Sequence, residues 1–418
     1  MKNLQAVFAE LKYAYEQVPF YKALLDAHDI DLSTEESYAQ FQKIPFTEKK
    51  DYRVNFPKGV IARDAAMDSP LICSHRSSGS SGERLITLEI GLLLFERALQ
   101  SSMHHPAIFE KFLNDDRTIA RYAAPNCSDV ECANPNSTIE DRTLAEGTVV
   151  LPVYHDFLTT SENMIDRTIA EIAQISPDLF YVDPTYFAFL LREYKKRGLK
   201  PPQIPVLSSY TAATSVAKRQ IAEFYDMSSQ YSELLSSTEF GWVASECPHG
   251  TLHLNEEAFF MELVPMTEIP REDQGFSELV ISSIDNGVCP HIRYKTGDVV
   301  TLIDTPCSCG SEHRGIVMHG RLSSFIYQKG TPLYSPKEID WAVGSPNWLD
   351  QFQLEQLSDD MFQLKLMANG HYQPGMHDSV LDNLHALFNF DCSIEVTICD
   401  YIPAERSGKF NFVKGVSL

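Results

Sequence analysis

Four serines and two glycines stand together in Ser77-Ser78-Gly79-Ser80-Ser81-Gly82. Glycine lets backbone N–H groups approach an anion closely and serine adds hydroxyl donors, so the run is a candidate cradle for nucleotide phosphates. The same composition also makes a flexible surface loop. It is no Walker loop, because Gly82 is followed by Glu83-Arg84 and not by Lys-Ser/Thr. Further motifs follow in order: Ser236-Ser237-Thr238-Glu239, Arg293-Tyr294-Lys295-Thr296-Gly297-Asp298, Gly320-Arg321 and Gly408-Lys409. Each also has a plain structural reading: Thr238-Glu239 as a helix cap, Thr296-Gly297-Asp298 as a turn, Lys409 as a solvated lysine. Cys307-Ser308-Cys309 brings two thiols close enough to raise the question of a metal ion.

These residues need a scaffold. Pro70 to Cys73 reads as a strand and Ile86 to Leu99 as an apolar helix, one on each side of the Ser/Gly run. Val18-Pro19-Phe20-Tyr21 and Ile44-Pro45-Phe46-Thr47 are proline-marked joints in a helical beginning, with Thr47 as the expected N-cap ahead of Glu48-Lys49-Lys50-Asp51. Strand candidates at Thr148 to Val153, Leu179 to Val182 and Pro205 to Ser208 alternate with helices at Met164 to Ile175, Tyr186 to Arg197 and Ser215 to Tyr225. Such alternation implies a parallel sheet covered by helices. Strands at Thr251 to Leu254, Phe259 to Val264, Glu278 to Ile284 and Asp298 to Ile303 then suggest a β-rich subdomain over about 240–320. Beyond Gly320 a smaller α+β unit follows, with Ser323 to Tyr327, a helix from Pro336 to Val343, a strand from Phe362 to Ala368 and a helix from Ser379 to Phe388. The expected division is 1–320 and 321–418, with the boundary at Arg321.

A length of 418 residues suits two or three domains, and 44% hydrophobic with 22% charged residues is ordinary for a globular protein. The net charge of −22 argues against nucleic acid or an anionic membrane as partner, while leaving room for a local ATP site. Leu4, Phe8, Leu11 and Tyr15 recur at helical spacing among Lys2, Glu10, Lys12 and Glu16, which makes an amphipathic helix and not a signal peptide. No apolar run reaches membrane-spanning length, and a cytoplasmic protein is expected. Nine cysteines, an odd number unevenly spread, do not suggest a disulfide framework. His104-His105 and His155 have no acidic partner at a fixed spacing and read as surface or core histidines. Tyr181, Tyr186, Phe187 and Phe189 read mostly as core, with a share in the wall of an acyl pocket.

Taken in order, the motifs resemble the adenylate-forming superfamily of acyl-CoA synthetases, luciferases and peptide-synthetase adenylation domains. Within it the chain looks most like the phenylacetate–CoA ligase group. That likeness rests on Val18-Pro19-Phe20-Tyr21, Pro45-Phe46-Thr47-Glu48-Lys49-Lys50-Asp51-Tyr52-Arg53, Glu246-Cys247 with Gly250 and His253, and Cys307-Ser308-Cys309-Gly310. The resemblance implies an α/β fold: a large N-terminal domain of mixed sheet subdomains plus a β-rich one, and a small mobile α+β C-terminal domain. It also implies roles. Ser77, Ser78, Gly79, Ser80, Ser81 and Gly82 grip the β- and γ-phosphates of ATP, and Ala212-Ala213 lay backbone along the adenine. Ser237, Thr238 and Glu239 lie on the nucleotide, with Thr238 and Glu239 holding Mg²⁺. Asp298 takes the ribose hydroxyls, Arg321 is a second nucleotide contact, and Lys409 stands between carboxylate and α-phosphate. The implied reaction makes an acyl-adenylate and pyrophosphate from a carboxylic acid, expected to be aromatic, and then transfers the acyl group to coenzyme A.

Departures keep alternatives open. Leu235 stands where relatives place an aromatic ring against adenine, a loss of about 1 kcal/mol by the measure of aromatic pairs. Ser323-Ser324 replace the acidic pair that usually follows Gly-Arg at the hinge. An acceptor other than coenzyme A (a carrier-protein thiol, an amine or a protein cysteine) therefore stays open, as does a nucleotide-binding regulator without turnover. Cys307 and Cys309, with Cys247 and His253, are the expected ligands of a structural Zn²⁺, with His249 as a rival to His253. A homodimer in which a second copy covers the N-terminal helices is a further open expectation.

Overall fold

The computed structural model describes residues 3–33, 36–76, 84–124, 137–144, 146–271 and 274–415. Ser77 through Gly82 therefore lie outside the described residues. Two compact units are formed: one from Met1–Phe109, Leu234–Met266 and Ser277–Val317, the other from Glu110–Glu233, Thr267–Phe276 and Met318–Leu418. The mixed α/β fold expected from sequence is present. The two units divide the chain at places other than Arg321, because 318–418 packs with 110–233.

In the first unit the strands Phe259–Pro265, Ser277–Ser283 and Tyr294–Ile303 pair antiparallel in succession, and Gly241–Glu246 pairs antiparallel with Leu252–Leu254. The helices Leu4–Gln17, Pro19–Ala27 and Lys49–Asn55 bring Leu11, Tyr21 and Tyr52 into the core, where Tyr52 stacks on His291 at 4.3 Å between centroids. The apolar helix read over Ile86 to Leu99 is corrected. Ile86–Ile90 is a strand paired antiparallel with Ile72–Arg76, and the helix is Gly91–Ser102. The alternation in Ile86-Thr87-Leu88-Glu89-Ile90 is the reason, since Thr87 and Glu89 share the buried face. Buried Glu89 is matched there by Arg97, which also binds Asp285 at 2.6 Å. The cap at Thr47 is also corrected. Glu48 is the N-cap, in a capping box with Asp51, because Thr47 is drawn into sheet-like pairing with Tyr294.

The second unit holds a parallel sheet in the order Thr148–Val150, Ile119–Tyr122, Leu179–Val182, Val206–Ser208, to which the start of Tyr231–Ser237 adds. Ile119–Tyr122 was not legible as a strand; its four buried residues carry no alternation to read. The helices Glu162–Ile175, Pro184–Lys196 and Ser215–Ala222 follow, and Tyr186, Phe187, Phe157 and Phe410 pack in one apolar cluster. The C-terminal part is a four-stranded sheet in the order Ser393–Cys399, Met361–Ala368, Leu349–Gln356, Val413–Lys414, covered by Pro336–Val343 and Asp378–Leu387. Ser323 to Tyr327 divides between a 3₁₀ turn, Leu322–Ser324, and a strand, Ile326–Gln328. None of the described helices is long and apolar enough to cross a membrane.

Glu10 is buried, its carboxylate accepting hydrogen bonds from Ser283 Oγ at 2.8 Å and the Asn286 amide at 2.6 Å. Burial raises its carboxyl to about 7 against the pull of that amide, and Asp285 and Glu89 add to the rise. The folded state thus holds a proton that the unfolded chain releases at lower pH. The resulting stability is complete below the ordinary carboxylate range and is lost as pH rises through about 7. Glu10→Gln is expected to unfold later than the parent at about pH 8, by up to about 3 kcal/mol, and to lose that advantage near pH 5. Urea unfolding at the two pH values checks this.

Candidate active site and metal centre

Thr238 and Glu239 occupy the turn between the strands Tyr231–Ser237 and Gly241–Glu246, so the helix-cap reading of this pair is corrected. The turn closes with Ser237 Oγ accepting from the Phe240 amide at 3.2 Å and Gly241 at a φ of +74°. Phe240 is buried, which fixes the turn to the core and leaves its two polar residues at the tip. Glu239 is held from two sides: Tyr294 Oη donates at 3.0 Å and Lys49 Nζ lies at 3.9 Å. Lys49 and Tyr294 were not assigned from sequence. Their signal was present in the two motifs that contain them, but only pairing joins those motifs. The Thr47 amide donates to Arg293 O at 3.0 Å and the Lys295 amide to Thr47 O at 2.9 Å.

Asp298 lies within the strand Tyr294–Ile303 and is almost fully buried. The reading of Thr296-Gly297-Asp298 as a turn is corrected to a β-bulge, since the register with Ser277–Ser283 shifts between Glu278 and Val280. Gly297 supplies the positive φ of +75°, and Thr296 Oγ1 donates to Leu279 O at 2.8 Å while accepting from the Asp298 amide at 3.1 Å. The bulge re-aims Asp298 relative to a regular strand.

In the second unit the relevant residues follow the carboxyl ends of parallel strands, where ligands of open α/β sheets bind. Ala212 and Ala213 stand in the segment after Val206–Ser208. There the Ala213 amide donates to Glu233 Oε1 at 3.0 Å, and Glu233 pairs with Lys218 at 2.5 Å. Burial works against the charge of Glu233, yet the Lys218 ammonium holds its carboxyl below the usual range. Asp183 follows Leu179–Val182 and is buried, capping the helix Pro184–Lys196 through the amides of Thr185 and Tyr186. It also accepts from Thr211 Oγ1 at 2.9 Å. Burial pushes its carboxyl up to about 6, against the hydroxyl of Thr211, the two amides and the charge of Lys409. Asp183 was not named from sequence; an Asp-Pro step at a strand–helix joint was its only signal.

Lys409 follows a turn in which the Gly408 amide donates to Glu405 O at 2.7 Å and the Glu405 amide to Lys409 O at 2.9 Å. Gly408 has a φ of +78°, and a Cβ there would lie 2.5 Å from Ala124 Cβ. Arg321 is exposed at the end of Gly315–Arg321, after Gly320 at a φ of +101°. Tyr186 and Phe187 are core, as expected, while Tyr181 is half-buried and faces Tyr210 at 5.1 Å. His155 contributes its backbone carbonyl to Tyr186 Oη at 2.6 Å.

A separate cluster lies in the first unit. The ligand atoms of Cys247, His253, Cys307 and Cys309 all lie within 4.8 Å of one another. Cys247 Sγ is 3.7 Å from Cys307 Sγ, and Cys309 Sγ is 3.3 Å from His253 Nε2. Two thiolates bound at about 2.3 Å to one tetrahedral ion would be about 3.8 Å apart, so the cluster is of the size a zinc ion needs. His253 Nδ1 lies 3.0 Å from His313 O, which presents Nε2 as the lone-pair nitrogen. His249 is exposed and outside the cluster. The seven described cysteines are all free of disulfides. His104, read as an inert histidine, packs its ring 5.0 Å from His253 and 4.9 Å from His313.

Residues 334–415 match the family model described as the CapK C-terminal domain. Phenylacetate-coenzyme A ligase of Thermus thermophilus is 25% identical over 356 residues, covering 82% of this chain and 74% of that protein. The enzyme of the same name from Aromatoleum evansii is 24% identical and covers 97% and 91%. A solved 2-hydroxyisobutyryl-CoA ligase in a postadenylation state with 2-HIB-AMP superposes with a TM-score of 0.70 at 15% identity, over 96% of this chain and 86% of that one. An anthranilate CoA ligase with anthranoyl-AMP gives 0.52 at 13% identity, over 81% and 66%. The fold is therefore that of adenylate-forming CoA ligases.

Gly408 combines a left-handed backbone with no room for a methyl group. Gly408→Ala is expected to lower stability by about 1–3 kcal/mol, whereas Gly330→Ala, whose φ of +79° faces open space, should lose only about 1 kcal/mol. Thermal unfolding of the two variants checks the difference.

Proposed function

We propose that this chain, a homologue of the phenylacetate–coenzyme A ligases over most of its length, is an AMP-forming acid–thiol ligase. A carboxylate oxygen attacks the α-phosphorus of ATP in line, the bond to the bridging oxygen breaks, and pyrophosphate leaves with an acyl-adenylate formed. The sulfur of coenzyme A then attacks the acyl carbon, AMP leaves, and the thiol proton passes to solvent. The observation that carries the reading is the seating of the Gly408-Lys409 turn on Tyr186, in the first turn of the helix that buried Asp183 caps at the carboxyl end of a parallel strand.

The reading gives each residue a task. The Lys409 ammonium offsets charge that develops between carboxylate and α-phosphate, where electrostatics and positioning do most of the work. The charge of Lys409 pulls against the rise that burial gives the Asp183 carboxyl. Asp298 accepts from the ribose hydroxyls, Ala212-Ala213 lie along the base, and Arg321 and Ser237 are further nucleotide contacts. The Ser77–Gly82 run takes the leaving pyrophosphate. Thr238 and Glu239 would hold Mg²⁺, which suits a hard carboxylate and hydroxyl set and supplies charge neutralisation on the phosphates. Residues 321–418 would turn as a body between the two steps, about a hinge from Arg321 to Phe325. An aromatic acid is the favoured substrate, and a cytoplasmic location fits an enzyme that draws on ATP and coenzyme A.

Two expectations test this. Acid-dependent exchange of labelled pyrophosphate into ATP should appear with an aryl acid in a panel of aryl and alkyl acids; no exchange with any acid would sink the ligase reading. Lys409→Ala should lower exchange by roughly a thousandfold or more while nucleotide binding by calorimetry stays within a few-fold. Ser323-Ser324 in the 3₁₀ turn favour a second reading, transfer to another thiol or an amine. Exchange without thioester formation on adding coenzyme A would select it.

We assign the Cys247, His253, Cys307 and Cys309 cluster to one structural zinc ion, supported by the donor set and its size. Purified protein should carry about one zinc per chain. Cys309→Ser should lose it and unfold roughly 5 °C or more earlier. Less than about half an equivalent in the parent protein would remove the assignment.

A further inference from the structure

The turn bearing Lys409 is attached to the body of its unit by a small set of directional contacts. Tyr186 Oη lies 2.8 Å from Gly408 O and 2.6 Å from His155 O. A phenol has one proton, so the two carbonyls share it and are drawn to the same point. The next residue, Asp156, accepts from Tyr401 Oη and from the Ala404 amide at 3.4 Å. Phe157, the residue after that, meets the buried ring of Phe410 edge-on at 6.4 Å. Three consecutive residues, His155, Asp156 and Phe157, thus reach the start, middle or end of the segment 401–410. Asp156 is itself oriented by the Leu158 amide at 3.3 Å, at the head of a 3₁₀ turn.

We propose that the Tyr186 hydroxyl and the Asp156 carboxylate form a dock that seats the Lys409 turn for the first half-reaction, as positioning residues. The proposal rests on the ligase reading for the meaning of that half-reaction. Neither group is placed at a reacting atom; both hold the segment that leads into Lys409. Tyr186 acts at the peptide immediately before the lysine, where Gly408 has no side chain to keep the backbone away. Asp156 acts at the start of the segment, through a tyrosine that is 44% exposed. Water can replace a hydrogen bond of that kind, so the seat is one that can be left and retaken.

Tyr186→Phe keeps the buried ring and removes only the hydroxyl; Tyr401→Phe removes the exposed end of the Asp156 contact. Three readouts judge them: acid-dependent pyrophosphate exchange, thioester formation from preformed acyl-adenylate and coenzyme A, and the rate at which Lys409 is modified by an amine-reactive reagent, followed by peptide mass. Both variants should lower exchange kcat by about tenfold or more with the KM for ATP changed less than about threefold. Thioester formation from preformed adenylate should stay at the parent rate, and Lys409 should be modified several-fold faster. Parallel loss of both half-reactions, or unchanged exchange and labelling, overturns the dock. If the parent shows no exchange with any acid, the ligase reading fails, and the labelling rates still decide the dock by themselves.

Discussion

The guanidinium of Arg293 is buried among groups that all need it. It binds both oxygens of Glu262, at 2.9 and 3.0 Å, and donates to the carbonyls of Gln42 at 2.8 Å and Ile44 at 2.6 Å. Truncating one partner of such a pair leaves the other charge in the core, a cost of about 3–5 kcal/mol. That constraint brings the segment before Thr47 against the strand Tyr294–Ile303. From there the rest of the first unit's site follows: Thr47 pairs beside Tyr294, the helix Lys49–Asn55 starts, and Lys49 and Tyr294 arrive at Glu239. A carboxylate at the tip of a hairpin would otherwise be free to wander. Here Tyr294 and Lys49 hold it.

In the second unit Lys409 lies on the segment 400–412, between the strands Ser393–Cys399 and Val413–Lys414. Asp183 does two jobs, ending a strand by capping the next helix and placing a carboxylate near Lys409. Burial raises the proton affinity of that carboxyl, and the hydrogen bonds of Thr211 and two helix amides work in the opposite direction. Those hydrogen bonds and the charge of Lys409 offset part of what burial does to the carboxyl. Close backbone approach at Gly408 is the steric counterpart, since any side chain there would strike Ala124.

The thiol and imidazole cluster shows how the two levels of description differ in reach. Cys307 and Cys309 were legible as a pair because one residue separates them. Cys247 and His253 entered as the ligands that would complete the tetrahedron, with His249 as a rival to His253. Pairing decided among them: Leu252–Leu254 lies antiparallel to Gly241–Glu246 and to Gly315–Arg321, which places His253 inward opposite Gly315 while His249 stays on an exposed turn. His253 is inside a paired strand and His249 is in the turn before it, and that difference leaves only His253 with the thiols.

By itself the sequence determined the element types where local signals were clean, as in the short apolar run Leu179–Val182 and the capped helix Pro336–Val343, and the order of the motifs. These are local properties, set by spacing, capping and glycine. It misread Ile86–Ile90 as helix, where a short apolar stretch suits helix and strand alike until a partner strand is known. The tertiary structure alone decided that Glu239 meets Lys49 and Tyr294, that Thr296-Gly297-Asp298 is a bulge, and that Asp183 and Tyr186 attend the Lys409 turn. Those contacts join residues far apart along the chain. Strand register and the burial of charge select them, and neither leaves a mark on the residues taken one segment at a time.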